Sequence, residues 1–327
     1  MPLLLTEADV QGILTMPLAL ELVEASFRRL AEGTAVLHPR RRLRMAGKGL
    51  LNYMAASDSA GGYMGLKIYT VSPNGVRFLV LLFHARSGEM CALMEADYLG
   101  QMRTGAASGV ATRVMARGNA SRVGIIGTGL QARTQLEAVA LARKLEGIRV
   151  FGRDVGRREE FAKQMTARLA VPVAAVTSAE QAVRGSDIVV TATTANRPVV
   201  EGRWLAPGMH LNAVGSNFAE KQELDAEAVG RSDVVAADSI EQSKMEAGDL
   251  IQAFGRDLSR WATVRELADI VASKVPGRTN ENQITLFKSN GLAIEDVAVG
   301  GRVYEIARER GMGREIPMWQ GVAATQA

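Results

Sequence analysis

The chain has 327 residues, a length typical of about two domains. With 47% hydrophobic and 23% charged residues its composition is that of a globular protein, and the net charge of +4 is too small to indicate binding to nucleic acid or a membrane surface. Cys91 is the only cysteine, which excludes an internal disulfide and any multi-cysteine metal site and fits a reducing compartment. The three histidines show no metal-binding spacing, and the first residues lack the basic and long apolar segments of a signal peptide. We therefore expect a cytoplasmic protein without a metal site.

The N-terminal region predicts a sheet flanked by helices. Leu3–Leu5 is predicted to be a short strand. A capping-box pattern at Thr6–Asp9 begins the first helix, and a proline in the first turn begins the second, Pro17–Ala31. Runs of strand-forming residues separated by turns then predict an antiparallel meander: Leu50–Ala55, Tyr63–Val71, Phe78–His84 and Met90–Met94. The polar stretch Arg117–Ser121 marks the end of this region.

A basic segment, Pro39–Met45, admits two interpretations. It is either a solvated basic strand or the source of an arginine that binds an anion; a nucleic-acid patch is disfavoured because no aromatic or further basic run follows. Strand alternation places Arg41 on one face with Leu43 and Met45. An arginine among apolar neighbours needs an anionic partner, and a substrate carboxylate suits the two-pronged guanidinium. Arg41 is therefore a candidate substrate ligand, with a register within Arg40–Arg42 that stays open by one residue.

Lys67 lies in the middle of an apolar strand. Such a lysine is either an edge residue whose ammonium group reaches water or a functional group. The residues alone favour the edge interpretation, because buried lysines are rare.

A glycine turn predicts a dinucleotide-binding site in the middle of the chain. The buried strand Val123–Ile126 runs into a segment that fits G-x-G-x-x-A: Gly127-Thr128-Gly129-Leu130-Gln131-Ala132. The first glycine permits a tight turn, the second lets a pyrophosphate approach the backbone, and the alanine lets the next helix pack on the strand. That helix begins near Leu130 and directs its free N–H groups toward the phosphates.

The remainder of the chain alternates apolar strands with helices, which predicts an α/β fold with a parallel sheet covered on both faces. The predicted strands are Val123–Ile126, Ile148–Phe151, Val171–Val176, Ile188–Ala192, His210–Val214, Val234–Ala236 and Ile284–Phe287. A final helix, Leu292–Arg310, is expected to return to the first domain. We assign further cofactor contacts to one residue near the first domain and to residues at the ends of later strands: Thr104, Thr191, Ala192, Val214, Gly215, Ser289 and Gly291.

The end of the second strand of this sheet distinguishes NAD from NADP. An acid there binds the ribose hydroxyls of NAD, whereas an arginine without an acid admits the 2′-phosphate of NADP. Gly152 occupies the position of the acid and Arg153 follows it, which favours NADP(H). Asp154 keeps NAD(H) possible, because a small shift in register would restore an acid.

Taken in order, these motifs resemble the ornithine cyclodeaminase/mu-crystallin family over nearly the whole chain. The resemblance is carried by the glycine turn together with Pro39–Arg41, Met64–Lys67, Met102–Ser108, Gly208–Asn217, Glu223–Asp225 and Ile284–Ser289. It implies a Rossmann NAD(P)-binding domain, residues 119–299, inserted in an α+β substrate and dimerisation domain formed by residues 1–118 with 300–327 returning to it.

The same resemblance implies a homodimer and hydride transfer between a nicotinamide and an α-amino-acid carbon, through an imine. At the matching positions Lys67 contacts the substrate, and Arg41 and Arg103 hold its carboxylate. The resemblance therefore favours the functional interpretation of Lys67.

Two departures from the family pattern bear on the reaction. Cyclodeaminases of the family carry an Asp in the segment that here reads Gly215-Ser216-Asn217, and the amide of Asn217 cannot act as a general base. The family's threonine before the returning strand is also missing, with Gly75 near its position. We therefore predict NAD(P)H-dependent reduction of an imine of a small α-keto acid, such as pyrroline-2-carboxylate, with Lys67 and Asn217 as the catalytic candidates.

Two alternatives stay open. One is ornithine cyclodeaminase, which converts L-ornithine to L-proline and ammonia. The other is a cofactor-binding protein without enzymatic activity, since a nucleotide-binding fold can serve such a role. The presence of Lys67, Arg41 and Arg103 beside the glycine turn favours an enzyme.

Overall fold

A computed structural model describes residues 1–44, 49–73 and 75–318. The chain folds into two compact units. The first unit comprises residues 1–15, 32–100 and the chain from residue 292 onward, and the second comprises residues 16–31 and 101–291. Each unit is built around one sheet.

The strands, numbered along the chain, are β1 (Leu3–Leu5), β2 (Ala35–Arg44), β3 (Leu50–Asp58), β4 (Tyr63–Ser72), β5 (Gly75–His84), β6 (Met90–Glu95), β7 (Arg122–Ile126), β8 (Gly147–Phe151), β9 (Val173–Ala175), β10 (Ile188–Thr191), β11 (His210–Ala213), β12 (Val234–Ala237), β13 (Arg265–Glu266), β14 (Thr285–Lys288) and β15 (Arg314–Glu315). The helices are α1 (Glu7–Ile13), α2 (Met16–Glu32), α3 (Asp97–Met115), α4 (Leu130–Ala142), α5 (Val155–Leu169), α6 (Ala179–Val183), α7 (Ala226–Gly230), α8 (Ile240–Glu246), α9 (Gly248–Phe254), α10 (Leu258–Trp261), α11 (Leu267–Val271) and α12 (Ala293–Glu309), and a short 3-10 helix covers Gly202–Trp204. Within the described ranges no single helix is long and apolar enough to cross a membrane, although the bent pair α1 and α2 passes that test by length and composition.

The sheet of the first unit has the strand order β15-β1-β6-β5-β4-β3-β2. Strands β2 to β6 pair antiparallel with their neighbours in the chain, which confirms the predicted meander. Alternate residues of β3 and β4 are buried, among them Met54, Ala56 and Lys67, and helix α12 packs against these strands. Gly65 permits this packing, because a Cβ there would lie only 3.0 Å from Val297 of α12. The final helix thus belongs to the first unit.

The sheet of the second unit is entirely parallel, with the order β13-β12-β14-β11-β10-β7-β8-β9. This confirms the predicted parallel sheet, and it adds β13, whose two residues are too short for a sequence pattern. Apolar side chains alternate along β7 and β10, so that Ile125 and Val190 join one buried cluster and Ile126 and Val189 join another. Strand β7 lies between β8 and β10, so the chain order reverses on its two sides. Open α/β sheets bind ligands at such a switch point.

The bounds of the two units differ from the domains expected from the sequence. Residues 101–115 of α3 and residues 16–31 of α2 group with the parallel sheet. Two glycines help to explain why α3 groups with the parallel sheet. A Cβ on Gly105 would lie 2.5 Å from the Thr134 carbonyl oxygen, and a Cβ on Gly109 would lie 3.0 Å from Ala138. These close approaches hold α3 against α4. The small residues of α3 give no periodic pattern, so the sequence could not show on which side the helix packs.

Candidate active site

The glycine turn follows β7 at the switch point of the second sheet. Gly127 has a φ of +121°, and a Cβ there would collide with the carbonyl group of Ala192 after β10. Its N–H donates to the carbonyl of Phe151 at the end of β8, at 2.9 Å. Glycine alone combines this dihedral with so close an approach. The turn therefore brings together the carboxyl ends of β7, β8 and β10.

Gly129 precedes α4 at the N-cap position and offers no side chain to the first-turn N–H groups. A Cβ on Gly129 would meet no atom of the described residues within 4 Å. The N–H groups and the positive end of the helix dipole are therefore available to an anionic group. Ala132 is fully buried, which lets α4 pack on the sheet as predicted. This geometry fits the pyrophosphate of a dinucleotide.

The residues after β8 are those expected to distinguish the ribose hydroxyls of NAD from the 2′-phosphate of NADP. The predicted register places Gly152 where an acid would bind NAD, and a Cβ on Gly152 would lie 2.8 Å from Thr128 of the glycine turn. Asp154 is the N-cap of α5, and its Oδ1 accepts from the N–H of Arg157 at 2.8 Å. Its carboxylate is therefore engaged by the helix that it caps.

Two arginines flank Gly152. Arg153 is exposed. Arg158, which sequence reasoning missed, donates from Nη1 to the Gly152 carbonyl at 3.2 Å, with its guanidinium 5.9 Å from the centre of the Phe151 ring. The signal in the sequence was the pair Arg157-Arg158, a few residues after Arg153. Its position beside Gly152 depends on how α5 packs against β8.

Glu223 is a fully buried carboxylate that holds the carboxyl ends of β10 and β11. It accepts hydrogen bonds from the Thr191 hydroxyl at 2.8 Å, from the Gly215 N–H at 2.7 Å and from the Thr193 N–H at 2.7 Å. Burial raises the pKa of Glu223, and the nearby ammonium of Lys288 opposes that rise. A Cβ on Gly215 would collide with this carboxylate. Glu223, whose role was not predicted from the sequence, thus fixes the positions of two predicted cofactor-binding residues, Thr191 and Gly215.

Lys288, at the end of β14, forms a fully buried ion pair with Asp249, with Nζ and Oδ2 2.8 Å apart. The same ammonium donates to the Ser216 carbonyl at 2.7 Å, and Asp249 Oδ1 accepts from the Glu223 N–H at 2.6 Å. These bonds fix the backbone immediately before the predicted catalytic residue Asn217. The sequence showed the charged residues but gave no sign that they meet.

Asp238 organises the loop that carries Ser289 and Gly291. Its Oδ2 accepts from the N–H groups of Asn290 at 2.6 Å and Gly291 at 2.7 Å. Burial raises the pKa of Asp238, and these two hydrogen bonds oppose the rise. A Cβ on Gly291 would collide with the guanidinium of Arg103, which is 6% exposed. The structure therefore brings together the predicted substrate ligand Arg103 and the predicted cofactor residue Gly291.

The other predicted cofactor residues also lie in the second unit. Thr104 follows Arg103 in α3, and its carbonyl accepts from Gln135 Nε2 of α4 at 3.1 Å. The Val214 N–H donates to the Thr191 carbonyl at 3.0 Å, which extends the pairing of β10 and β11 by one residue.

Lys67 of the first unit pairs with Asp296 of α12, with Nζ and Oδ1 2.7 Å apart and both side chains 1% exposed. The ammonium lies 5.0 Å from the centre of the Phe78 ring. The interpretation of Lys67 as an edge residue is wrong, because β4 lies between β3 and β5 and the side chain is buried. Sequence reasoning missed Asp296. An acid inside the apolar run 293–299 signals a buried partner, but it does not say which residue that partner is.

The structure corrects the register of the basic strand. Arg41 and Leu43 share one face, as the alternation predicts, but a β-bulge between His38 and Arg41 turns that face away from the buried side of the sheet. Arg40 is 4% exposed, and its Nη2 lies 3.7 Å from Met54 Sδ on the buried face, whereas Arg41 is exposed. The expectation that Arg41 lies among buried neighbours is wrong, and Arg40 takes that place. Met45, which entered the same argument, lies outside the described residues.

The model of the ornithine cyclodeaminase/mu-crystallin family matches residues 1–311. The chain belongs to this family. The resemblance inferred from the motifs is thereby confirmed.

Three family members illustrate how similar the chain is to its relatives. It is 37% identical over 261 residues to a Delta(1)-pyrroline-2-carboxylate reductase of Bacillus cereus, a match that covers 77% of this chain and 80% of that relative. The solved structure of Thermococcus litoralis Delta(1)-pyrroline-2-carboxylate reductase in complex with NADH and L-proline has a TM-score of 0.91 and 37% identity, and covers 96% of this chain and 100% of that one. An archaeal alanine dehydrogenase dimer with bound NAD has a TM-score of 0.88 and 34% identity, and covers 97% of this chain and 99% of that one.

Proposed function

We propose that this family member is an NAD(P)-dependent oxidoreductase that reduces the imine of a small α-keto acid to an L-amino acid. The observation that carries the proposal is the buried Lys67–Asp296 pair, which holds a cation on the apolar face of the first sheet. An anionic α-imino acid suits such a cation. The glycine turn of the second unit suits a nicotinamide cofactor. The pyrroline-2-carboxylate reductases and the alanine dehydrogenase among the relatives support this class of substrate.

The bound cofactor supplies a hydride to the imine carbon, and a proton completes the amine. Lys67 donates a hydrogen bond to the substrate carboxylate or relays that proton, and Asp296 keeps the ammonium in place. Arg103, with Arg40 or Arg41, is the proposed carboxylate ligand. Asn217 is proposed to hydrogen-bond the substrate or a water molecule.

We propose that NADP(H) is preferred to NAD(H). Support comes from Asp154, whose carboxylate caps α5, and from Arg153 and Arg158, which place positive charge beside Gly152. A 2′-phosphate suits this environment better than a pair of ribose hydroxyls. The relatives with bound NADH or NAD make NAD(H) the competing outcome. Steady-state kinetics with both cofactors test the preference, and a higher kcat/KM with NADH would overturn it.

We propose that the protein is a cytoplasmic homodimer. The outer face of the first sheet, opposite Lys67, exposes Val36 by 61%, Leu43 by 55% and Leu79 by 37%. Exposed apolar side chains on one sheet face favour burial against a second copy. The archaeal alanine dehydrogenase, itself a dimer, supports this assembly. Light scattering of the purified protein tests it, and a monomer at micromolar concentration would contradict it.

A substrate panel tests the reaction. The protein is mixed with NADPH or NADH and with cyclic imino acids, or with α-keto acids plus ammonia or methylamine. We expect cofactor oxidation with at least one imine and formation of the corresponding L-amino acid. Release of ammonia and proline from L-ornithine with NAD, without imine reduction, would instead identify a cyclodeaminase. Cofactor binding without any turnover would favour a binding protein.

A further inference from the structure

Asn52 lies on the buried face of β3 and is 1% exposed. Its cross-strand neighbours are Arg42 of β2 and Tyr69 of β4. Within residues 1–44, 49–73 and 75–318, neither its Nδ2 nor its Oδ1 has a hydrogen-bond partner. One side chain therefore buries both a donor and an acceptor without satisfying either.

Such an amide lowers the stability of the protein, because it loses its hydrogen bonds to water and gains none in return. A leucine has nearly the same shape and carries no such penalty. An unsatisfied buried polar group in a native protein therefore calls for an explanation, such as a ligand or an ordered water. The position of Asn52 favours a ligand.

Asn52 shares a patch of the sheet with the buried ammonium of Lys67. Asn52 pairs with Tyr69, and Met54, two residues along the same strand face, pairs with Lys67. Diagonal neighbours of this kind lie roughly 7–8 Å apart, within reach of a long side chain. The Lys67 ammonium lies 5.0 Å from the Phe78 ring, and Phe78 pairs with Tyr69. The ammonium thus lies near the β5 end of the cross-strand row formed by Asn52, Tyr69 and Phe78.

We propose that Asn52 determines specificity by binding the α-imino acid through both atoms of its amide. This inference rests on the reductase function proposed above. A protonated imine presents an N–H donor beside the carboxylate acceptor, so Oδ1 accepts from the N–H and Nδ2 donates to the carboxylate. The corresponding α-keto acid presents a carbonyl acceptor in place of the N–H, and that carbonyl faces Oδ1 without a hydrogen bond. Since a site built to hydrogen-bond one group rejects an analogue that lacks it, Asn52 selects the imine over the keto acid with the same side chain.

Asn52→Leu tests this assignment in the full-length protein. We expect kcat/KM for the imine to fall roughly 10- to 100-fold, the effect of losing hydrogen bonds to a charged ligand. The inhibition constant of the matching keto acid is expected to change much less, so that selectivity for the imine is lost. Without ligand, Tm is expected to stay level or rise because the unsatisfied amide is gone. Leu82→Met, a volume-conserving change at another buried position of the same sheet face, is the control and should leave kcat/KM within about threefold.

Asn52→Asp gives a second test if the leucine variant does not fold. Aspartate has the same shape and keeps an acceptor, but it replaces the donor that serves the carboxylate. A raised KM for the imine, in a folded variant that still binds NADPH, supports the proposal. Unchanged kcat/KM in the variant that folds overturns it, because the amide then serves only the fold or a bound water. Absence of imine turnover by the wild-type protein would instead overturn the reductase function, so the two failures are distinct.

Discussion

Replacing Lys67 with methionine is expected to abolish imine reduction and to destabilise the first unit. The Lys67 ammonium lies 2.7 Å from Asp296, and both side chains are 1% exposed. Methionine keeps much of the side-chain volume but leaves the carboxylate without its cation, and breaking a buried ion pair in this way costs about 3–5 kcal/mol. Each kcal/mol lowers Tm by roughly 2–4 °C in domains of 150–250 residues, so the expected decrease is roughly 6–20 °C.

A double variant separates the loss of charge from the loss of stability. Lys67→Met/Asp296→Asn removes both charges, so most of the lost stability should return because no buried charge lacks its ion partner. Turnover should stay below detection in both variants. NADPH binding, measured by the change in nicotinamide fluorescence, should be unchanged because the glycine turn belongs to the second unit.

The kinetic and thermal results refute different parts of the reasoning. Turnover by Lys67→Met would rule out the proposed role of the ammonium. An unchanged Tm would show that the ion pair contributes nothing to the stability of the fold. Turnover that returns in the double variant would show that the single variant failed through its stability and not through its chemistry.

Three further changes test other parts of the molecule. Arg153→Ala should raise KM for NADPH roughly tenfold, through loss of a charge-assisted hydrogen bond, and leave KM for NADH unchanged. Arg168→Ala, in the helix α5 that follows Arg153, is the control and should leave KM for both cofactors unchanged; equal losses with both cofactors in Arg153→Ala would contradict a role in binding the 2′-phosphate. Burial, with Asp238 nearby, raises the pKa of Glu266 from 4.5 to about 7, so the native state holds this proton more tightly than the unfolded state and stability falls as pH rises through that range. In urea titrations, Glu266→Gln should therefore be more stable than wild type at about pH 8, by at most about 3 kcal/mol, and equally stable near pH 4. A stability difference that does not depend on pH would be inconsistent with a raised pKa of Glu266. Lys288→Met should lower the free energy of unfolding by about 3–5 kcal/mol and reduce kcat, since Lys288 supports the backbone before Asn217; normal stability would show that the Asp249 carboxylate does not need its cation.

The glycine turn shows what local sequence can predict. Its strand, tight turn and helix are contiguous, so the reason for each small residue could be given before the fold was known. The structure then supplied the partners, such as the Ala192 carbonyl that excludes a side chain at Gly127. The basic strand shows the limit of the same approach. Alternation correctly placed Arg41 and Leu43 on one face, but a β-bulge between His38 and Arg41 decides which face is buried, and residue alternation carries no sign of a bulge.

The sequence by itself determined the antiparallel meander, the parallel sheet, the glycine turn and the family, because each depends on residues close together in the chain or on motifs in a fixed order. Only the tertiary structure decided which buried charges meet. Lys67 and Asp296 are 229 positions apart. Glu223 and Lys288 lie in motifs that carry the family resemblance, but those motifs did not show that Glu223 holds Thr191 and Gly215 or that Lys288 pairs with Asp249. Asn52 likewise gave no signal until its amide was found buried without a partner among the described residues. The physical reason is that the free energy of a buried charge or amide is set by the groups around it in space, and sequence neighbours do not specify those groups.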